Sequence, residues 1–294
     1  MYSQIDSNKR KTALLISLFI AFIIALGYFL DWYLQGGYGI FAMAIIISTI
    51  MSLVSYFSAD KLALMSTGAK RISKEDNPYV YRMVENLCIT AGVPTPKVHI
   101  IDSPALNAFA TGRDPEHASI ALTTGIVSAL ENEELEGVIA HELSHVKNYD
   151  IRVMTVVVVL AGAVALLGDF VWRAHFFGGG RRRNSREGGQ AGAILMIIGL
   201  VFLILSPIIA ELIKLAISRK REFLADASGA LITRYPEGLA RALEKIAANP
   251  TPLRTASAAT AHLFITNPLK GKSISSLFST HPPVEERIKR LRGV

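Results

Sequence analysis

Two long uncharged apolar segments constrain the fold of this chain most. Residues 13–30 form 18 consecutive positions without a charged side chain, and residues 38–57 form another 20. About 20 apolar residues in a helix are needed to cross the hydrocarbon core of a bilayer. The sequence therefore predicts an N-terminal pair of membrane helices. A signal peptide is the alternative for the first segment, but no small-residue cleavage site follows it, so we interpret it as a retained anchor.

The composition agrees with a membrane protein. Hydrophobic residues make up 51% of the chain and charged residues 19%, whereas soluble domains carry about a quarter charged residues. The mean hydropathy is +0.36, which excludes a disordered chain. The net charge of +7 indicates an anionic membrane surface rather than nucleic acid as the partner, because the basic runs flank apolar segments. Cys88 is the single cysteine, so a catalytic metal has to be held by histidines and carboxylates.

Two further apolar segments, residues 153–168 and 191–210, are also uncharged. They predict a second membrane hairpin over residues 153–218, which gives about four membrane helices. Pro207 is compatible with this interpretation, because neighbouring helices can satisfy the freed backbone carbonyl. A buried helical hairpin in a large core is the alternative.

The basic residues near the first two segments predict the orientation of the chain. Lysines and arginines accumulate on the cytoplasmic side of membrane helices. The connection formed by residues 31–37 has none, whereas both flanks carry them: Lys9, Arg10, Lys11, Lys61, Lys70, Arg71 and Lys74. Both flanks are therefore expected to face the cytoplasm. The glycine- and arginine-rich stretch 178–190, with Arg181, Arg182 and Arg183, disagrees with two full spans in the second hairpin, and the sequence leaves its side open.

A motif for metal binding lies in residues 131–150, whose apolar spacing predicts one helix. His141, Glu142 and His145 form the pattern H-E-x-x-H. Residues four apart share a helical face, so both imidazoles can reach one Zn²⁺, and Glu142 can deprotonate a bound water. The pattern also arises by chance, but the helical setting favours a metal site. Asp150 is expected to stabilise the end of this helix.

A catalytic zinc usually has three protein ligands, and the third is expected on a later element. Glu222 and Asp226 are four residues apart, so one can bind the metal while the other orients a histidine. The alternative is that the two carboxylates form an ordinary solvent-exposed acidic face of a helix and bind no metal.

Several ordered motifs together resemble the HtpX-type membrane zinc metallopeptidases, whose fold is shared with CAAX prenyl endopeptidases. The motifs are NAFATG (107–112), HELSHVKNYD (141–150), REFLADASGA (221–230) and STHPPVEERI (279–288). The resemblance implies a mainly α integral membrane protein with a gluzincin-like catalytic domain and a small β-sheet. We divide the chain into a membrane hairpin (1–60), a catalytic part (61–152), a second hairpin (153–218) and a second catalytic part (219–294).

The same resemblance implies roles for individual residues. His141, His145 and Glu222 would bind one Zn²⁺ per chain, Glu142 would act as general base and acid, and Asp226 would orient a zinc-binding histidine. His281 and Arg287 would stabilise the oxyanion. The alternative is that His281 caps a loop and Arg287 pairs with a surface carboxylate.

Asn107 and Ala108 are candidate substrate contacts by the same resemblance, next to short strands predicted at residues 98–101 and 119–125. An ordinary core strand and turn is the alternative for them. His99, His117, His175 and His262 have no partner at metal-binding spacing, and we expect them to be structural or exposed.

The expected function is that of a zinc-dependent endopeptidase of a bacterial cytoplasmic membrane. The resemblance implies that it cleaves damaged or misfolded membrane proteins, or unfolded polypeptides, on the cytoplasmic side as part of a stress response. Its expected partners are these substrates and the lipid bilayer, with no nucleic acid, and the oligomeric state is not predicted. A narrow-specificity processing peptidase of the prenyl-protein type and a non-catalytic membrane scaffold are the alternatives, and Glu142 argues against the second.

Overall fold

The structure is a computed structural model, and it describes residues 2–35, 37–160, 162, 219–257, 259–269 and 282–293. Over these residues the chain is mainly helical with one small sheet, as the sequence predicts. The helices are α1 (Tyr2–Leu34), α2 (Gly39–Thr67), α3 (Pro78–Ala91), α4 (Thr124–Ala129), α5 (Asn132–Lys147), α6 (150–160), α7 (Arg219–Thr233), α8 (Pro236–Ala248) and α9 (Val284–Leu291). The strands are β1 (Lys70–Arg71), β2 (Lys97–Ile101), β3 (Ala108–Gly112) and β4 (Ala118–Thr123).

Helices α1 and α2 pack against each other as an apolar hairpin. Ile5–Phe29 within α1 and the whole of α2 are long and apolar enough to cross a membrane, and only 17% and 22% of their apolar windows are buried. Gly27 allows the close approach of the two helices, because a Cβ atom at this position would lie 2.2 Å from the Cβ of Ala44. Asp31 stabilises the start of α2 by accepting the backbone N–H groups of Tyr38 and Ile40 at 2.8 and 2.9 Å.

Helix α2 continues past residue 60, where the sequence predicts the end of the hairpin. In its last turns Ala63 and Leu64 are buried against Phe109 of β3 and Met154 of α6. The end of the apolar hairpin therefore shares one apolar cluster with the sheet and α6.

The sheet has the strand order β1-β2-β4-β3. Strands β2 and β4 are parallel, with Val98 opposite Ile120, and they match the two strands predicted from the sequence. Gly125, at the end of the second prediction, lies in α4 instead. Strand β3 pairs antiparallel with β4 and forms one edge of the sheet, so the NAFATG motif supplies an edge strand.

Helix α5 lies at the centre of the core. Its residues Leu135, Val138 and Leu143 are fully buried among side chains from α3, α8 and the sheet. Helix α7 crosses α5 closely at Gly229, where a Cβ atom would lie 3.0 Å from the backbone nitrogen of His141. The close crossing holds α5 and α7 in register at the site described below.

The prediction of one helix over residues 131–150 is wrong at its C-terminal end. Helix α5 ends at Lys147, Tyr149 adopts a left-handed conformation (φ 59°), and a new helix begins at residue 150. Asn148 and Tyr149 close the turn with backbone bonds to Ser144 and Val146. Asp150 is therefore the first residue of α6, not the end of α5.

Only part of the predicted second hairpin falls within the described residues. Residues 153–160 are helical and almost all buried, and Val153, Val156 and Val157 pack against Leu15 of α1. The segment 191–210 and the arginine-rich stretch 178–190 lie outside the described residues.

Candidate metal centre

The first turn of α5 is fixed by its own acidic residues. Glu131 and Glu134 form a capping box at the N-terminus of the helix, and the side chain of Glu134 accepts the backbone N–H of Glu131 at 2.9 Å. Glu134 is buried and also accepts a hydrogen bond from Lys245 of α8 at 2.7 Å. Negative side chains near a helix N-terminus are stabilised by the helix dipole. The helix that carries the H-E-x-x-H motif is thus anchored two turns upstream of it.

Three ligand-type side chains converge where α5 crosses α7. The Nε2 atoms of His141 and His145 are 3.2 Å apart. The carboxylate of Glu222 lies 3.8 Å from His141 Nε2 and 3.6 Å from His145 Nε2. Ligand atoms at Zn–N distances of about 2.0–2.1 Å in a tetrahedral site are about 3.3 Å apart. All three side chains are at most 4% exposed, and their spacing fits one metal ion.

Each histidine contacts a carboxylate through its other ring nitrogen. His141 Nδ1 lies 2.9 Å from Asp226 Oδ1, and His145 Nδ1 lies 3.1 Å from Asp150 Oδ2. A carboxylate at Nδ1 fixes the tautomer with the proton on Nδ1 and leaves Nε2 free to bind a metal. Both imidazoles are therefore oriented with Nε2 towards Glu222.

Arg287 of α9 contacts the carboxylate of Asp226 in a bidentate arrangement. Its Nε and Nη2 atoms donate to Asp226 at 2.9 and 2.7 Å, and its Nη1 donates to the carbonyl oxygen of Ile265 at 3.2 Å. Nη1 also lies 3.9 Å from Glu222 Oε2. The side chain is fully buried. In this structure Arg287 therefore holds Asp226, which in turn contacts His141.

The electrostatic environment favours a divalent cation. Four carboxylates and two arginines around the site are less than 9% exposed, namely Glu142, Asp150, Glu222, Asp226, Arg221 and Arg287. If all six are ionised and both histidines are neutral, as they are when they bind a metal, two negative charges remain uncompensated, and buried charges are costly unless they are paired or coordinate a metal. Arg287 and the hydrogen bonds of Asp226 outweigh the burial of this carboxylate and hold its pKa far below its ordinary value.

Glu142 lies beside the ligands, on the side of the sheet edge. Burial raises its pKa, although the charges of His141 and His145 act in the opposite direction. The backbone of Ala110 in β3 lies close enough to its carboxylate to favour the ionised form as well, but burial outweighs these effects on the pKa. A carboxyl group with a raised pKa beside a metal is suited to accept and return a proton near neutral pH.

The pKa of His145 reflects its carboxylate neighbours. Burial disfavours the imidazolium, but the hydrogen bond that His145 donates to Asp150 and the charges of Glu222, Asp150 and Glu142 outweigh burial and raise the pKa to about 9. A metal ion binds the deprotonated nitrogen, so metal binding at neutral pH displaces this proton.

The two predicted substrate contacts lie on β3 or directly before it. Asn107 donates from Nδ2 to the carbonyl of Thr266 at 3.1 Å, and Ala108 accepts the backbone N–H of Ile265 at 3.0 Å. Both are buried. Phe264 packs on Phe109 with ring centroids 5.0 Å apart. At this position the sheet edge is thus covered by residues 264–266 of the same chain.

Of the four histidines expected to be structural or exposed, two are buried, one is on the surface and one lies outside the described residues. His99 and His262 are buried, with ring nitrogens 3.2 and 3.0 Å from the carbonyls of Lys97 and Met154. His117 is on the surface and contacts Asp114 at 2.6 Å. His281 and His175 lie outside the described residues.

Sequence reasoning missed two residues of the site. Asp150 contacts the second histidine, and Arg221 Nη1 lies 3.3 Å from Asp150 Oδ1. Asp150 is the last residue of the motif HELSHVKNYD and Arg221 is the first residue of REFLADASGA. Their membership in these motifs was therefore the sequence signal that could have identified them. Spacing on a single helix did not, because Tyr149 turns the chain between His145 and Asp150.

Comparison with known families and proteins agrees with this geometry. The sequence model of peptidase family M48 matches residues 74–294. The chain is 48% identical to the Protease HtpX homolog of Caldanaerobacter subterraneus subsp. tengcongensis, over 100% of this chain and 98% of that protein. It is 48% identical to the Protease HtpX homolog of Tropheryma whipplei strain Twist, over 99% of this chain and 98% of that protein. The corresponding protein of Streptococcus uberis is 44% identical over 99% of each chain.

Among solved structures, the crystal structure of S. mikatae Ste24p superposes with a TM-score of 0.54. The sequence identity is 19%, and the match covers 99% of this chain and 67% of that one, so it supports the fold. The resemblance to HtpX-type proteases is confirmed over the full length. This chain belongs to peptidase family M48, as an HtpX-type membrane metallopeptidase with two candidate membrane-spanning helices.

Proposed function

We propose that the metal is a single zinc ion held by His141, His145 and Glu222. The convergence of these three residues, with one ligand atom from each within 4.8 Å of the others in a buried site, is the observation that carries this proposal. Two imidazole nitrogens and one carboxylate form a common donor set for a catalytic zinc. Asp226 and Asp150 would orient the two imidazoles.

A zinc ion held by these three residues would supply a Lewis acid that activates water and the peptide carbonyl. Glu142 would accept the proton of the attacking water and return it to the leaving amine, and the pKa that burial raises suits it to both transfers. The carboxylate lies near the backbone of Ala110 in the edge strand β3, and an extended peptide can add to a sheet edge as a further strand. Asn107 and Ala108 would contact that peptide once residues 264–266 give way, and His281 and Arg287 would stabilise the oxyanion.

We expect polypeptide substrates that are unfolded or misfolded membrane proteins, cleaved at the cytoplasmic face of a bacterial inner membrane. The exposed apolar surface of α1 and α2 supports membrane insertion. The basic residues on both flanks of the hairpin support a cytoplasmic site. The family match over residues 74–294 is compatible with a membrane hairpin (1–60) followed by catalytic parts (61–152 and 219–294) on either side of a second hairpin.

Substitution Glu142→Gln tests the mechanism. The variant is expected to bind one zinc per chain but to cleave unfolded protein about 10²–10⁴-fold more slowly, because a general base typically contributes this factor. Glu222→Gln is expected to lose zinc. Glu133→Gln, an exposed carboxylate on the same helix, is the control and should behave like the wild type. Undiminished cleavage by Glu142→Gln would refute the mechanism.

Cysteine labelling in intact cells tests the orientation. The native Cys88 is buried and burial raises its pKa to about 12, so it should not react. Gln35→Cys, in the connection between the two spans, should be labelled from outside, and Glu75→Cys only after lysis. The opposite pattern would contradict a cytoplasmic active site.

A further inference from the structure

The N-terminal end of α1 reaches the metal centre through Asn8. The side chain of Asn8 is 1% exposed, and it precedes the apolar run of the helix. Its Nδ2 donates to Asp150 Oδ1 at 2.8 Å and to the backbone carbonyl of Asn148 at 2.9 Å. The other oxygen of Asp150, Oδ2, contacts His145 Nδ1. One carboxylate therefore connects the first candidate membrane helix to His145.

Arg221 completes the same set of contacts. Its Nη1 lies 3.3 Å from Asp150 Oδ1 and 3.5 Å from Asn8 Oδ1. Asp150 Oδ1 is thus contacted by both side chains, and the contact from Asn8, at 2.8 Å, is the shorter one. Two donors on one oxygen fix the rotation of the carboxylate, and so fix the direction in which Oδ2 faces the imidazole.

A second pair of contacts holds the turn that carries Asp150. Tyr149 has a left-handed backbone, which costs free energy for a residue other than glycine. Its ring lies 5.0 Å from Lys9 Nζ of α1 and 5.1 Å from the Arg152 guanidinium. Cation–π contacts of this kind are favourable, so α1 stabilises the turn by its ring contact as well as by the amide of Asn8.

We propose that Asn8 is a positioning residue for His145, so that docking of α1 completes the metal centre. The inference rests on the proposed role of His145 as a zinc ligand. Without the Asn8 amide, the hydrogen bond that remains to Asp150 Oδ1 from the residues that the structure describes is the longer contact from Arg221, and the buried carbonyl of Asn148 loses this donor. The imidazole then becomes less well oriented for zinc, although no ligand has been removed.

The alternative is that Asn8 only anchors α1 to the catalytic part. This alternative predicts lower stability of the metal-free protein with unchanged zinc affinity. The positioning role predicts weaker zinc binding and a changed ligand field in protein that is folded. Metal affinity and the Co²⁺ absorption spectrum therefore separate the two roles.

The test uses the full-length protein in detergent, with Glu142→Gln in every variant to prevent self-digestion. Removal of a residue that orients a ligand typically weakens metal binding about 10–100-fold. Asn8 acts one contact further away, so we expect Asn8→Leu to weaken zinc binding about 3- to 10-fold in a chelator competition. The d–d bands of the Co²⁺-loaded protein should shift as well. Thr12→Val is the control, because Thr12 is equally buried in α1 but its hydroxyl donates to the carbonyl of Asn8 on its own helix.

Zinc affinity and Co²⁺ bands of Asn8→Leu equal to those of Thr12→Val would overturn the proposal. If Asn8→Leu does not fold, Asn8→Ser repeats the comparison, since its side chain is too short to reach Asp150. A protein that binds no zinc even with Asn8 intact would instead refute the proposed function.

A double-substitution cycle provides the second readout. Once Asp150→Ala has removed the intervening carboxylate, adding Asn8→Leu should change zinc affinity by less than about 2-fold, because coupled residues are non-additive. An equal loss with and without Asp150 would show that Asn8 does not act through Asp150, and would also overturn the proposal.

Discussion

Arg287→Met should destabilise the protein and weaken its metal binding together. Arg287 is fully buried and donates two hydrogen bonds to Asp226, at 2.9 and 2.7 Å. Methionine has a similar length but no charge, so Asp226 would remain as a buried carboxylate with His141 as its remaining contact among those described above. The same carboxylate orients His141, so loss of its partner is expected to affect both the fold and the metal site.

The magnitude follows from the two hydrogen bonds. Each bond to a charged group contributes about 1.5–3 kcal/mol, and removal of one partner of a buried ion pair costs about 3–5 kcal/mol. We therefore expect the free energy of unfolding to fall by about 3–5 kcal/mol. For a chain of this size, with about 2–4 °C for each kcal/mol, the melting temperature should fall by about 6–20 °C.

Thermal unfolding of the detergent-solubilised Glu142→Gln protein measures this effect, with zinc affinity measured in parallel. Arg290→Met, three residues later on α9, is the matched control. Its ion pair with Glu286 and its cation–π contact with Phe223 are made by a side chain that is 57% exposed, and such contacts contribute up to about 1 kcal/mol each. If Arg287→Met melted within about 2 °C of Arg290→Met, the buried pair would not carry the stability assigned to it. Adding Asp226→Leu should recover part of the stability but not the zinc affinity, since His141 still lacks its carboxylate.

Two further predictions concern His262 and Gly229. Burial lowers the pKa of His262 from its ordinary value of 6.5 to about 4. Between these two pH values the unfolded chain binds a proton at His262 that the folded chain does not bind. The free energy of unfolding should therefore fall by about 2 kcal/mol between pH 7 and pH 5. His262→Gln should lose this part of the pH dependence in thermal unfolding, and an unchanged pH dependence would contradict it. Gly229→Val should cost about 1–3 kcal/mol by overpacking against the backbone of His141, and it should also weaken zinc binding. Ala227→Val, exposed on the same helix, should do neither, and equal effects of the two valines would refute the close contact.

Much of the site could be predicted from short-range patterns. His141, Glu142 and His145 share one helical turn, and helical spacing alone brings both histidines to one face. The apolar segments at residues 13–30 and 38–57 predicted the two helices of the hairpin, although α1 extends beyond its segment at both ends and α2 extends beyond its segment at the C-terminal end. The helices extend beyond the apolar segments because polar residues such as Asn8 and Thr67 are buried by other parts of the chain. Hydropathy along the sequence does not show this burial.

The partners of the ligands could not be predicted in this way. Asp150 is only five residues from His145, but the left-handed Tyr149 and the start of α6 bring it back to the imidazole. Arg287 was predicted to act at the oxyanion, and the structure places its guanidinium on Asp226, 61 positions away in sequence. That oxyanion role stays a prediction.

The sequence by itself determined the class of the protein, namely apolar helices for a membrane and a histidine–glutamate motif for a metal, because both depend on periodicity within one helix. The tertiary structure decided how the ligands are oriented. Asp226, Asp150, Arg287 and Asn8 come from four different helices and meet only when α1, α6, α7 and α9 pack around α5. Their buried charges are stable only in one another's presence, and that mutual dependence is a property of the packed core, which no local pattern encodes.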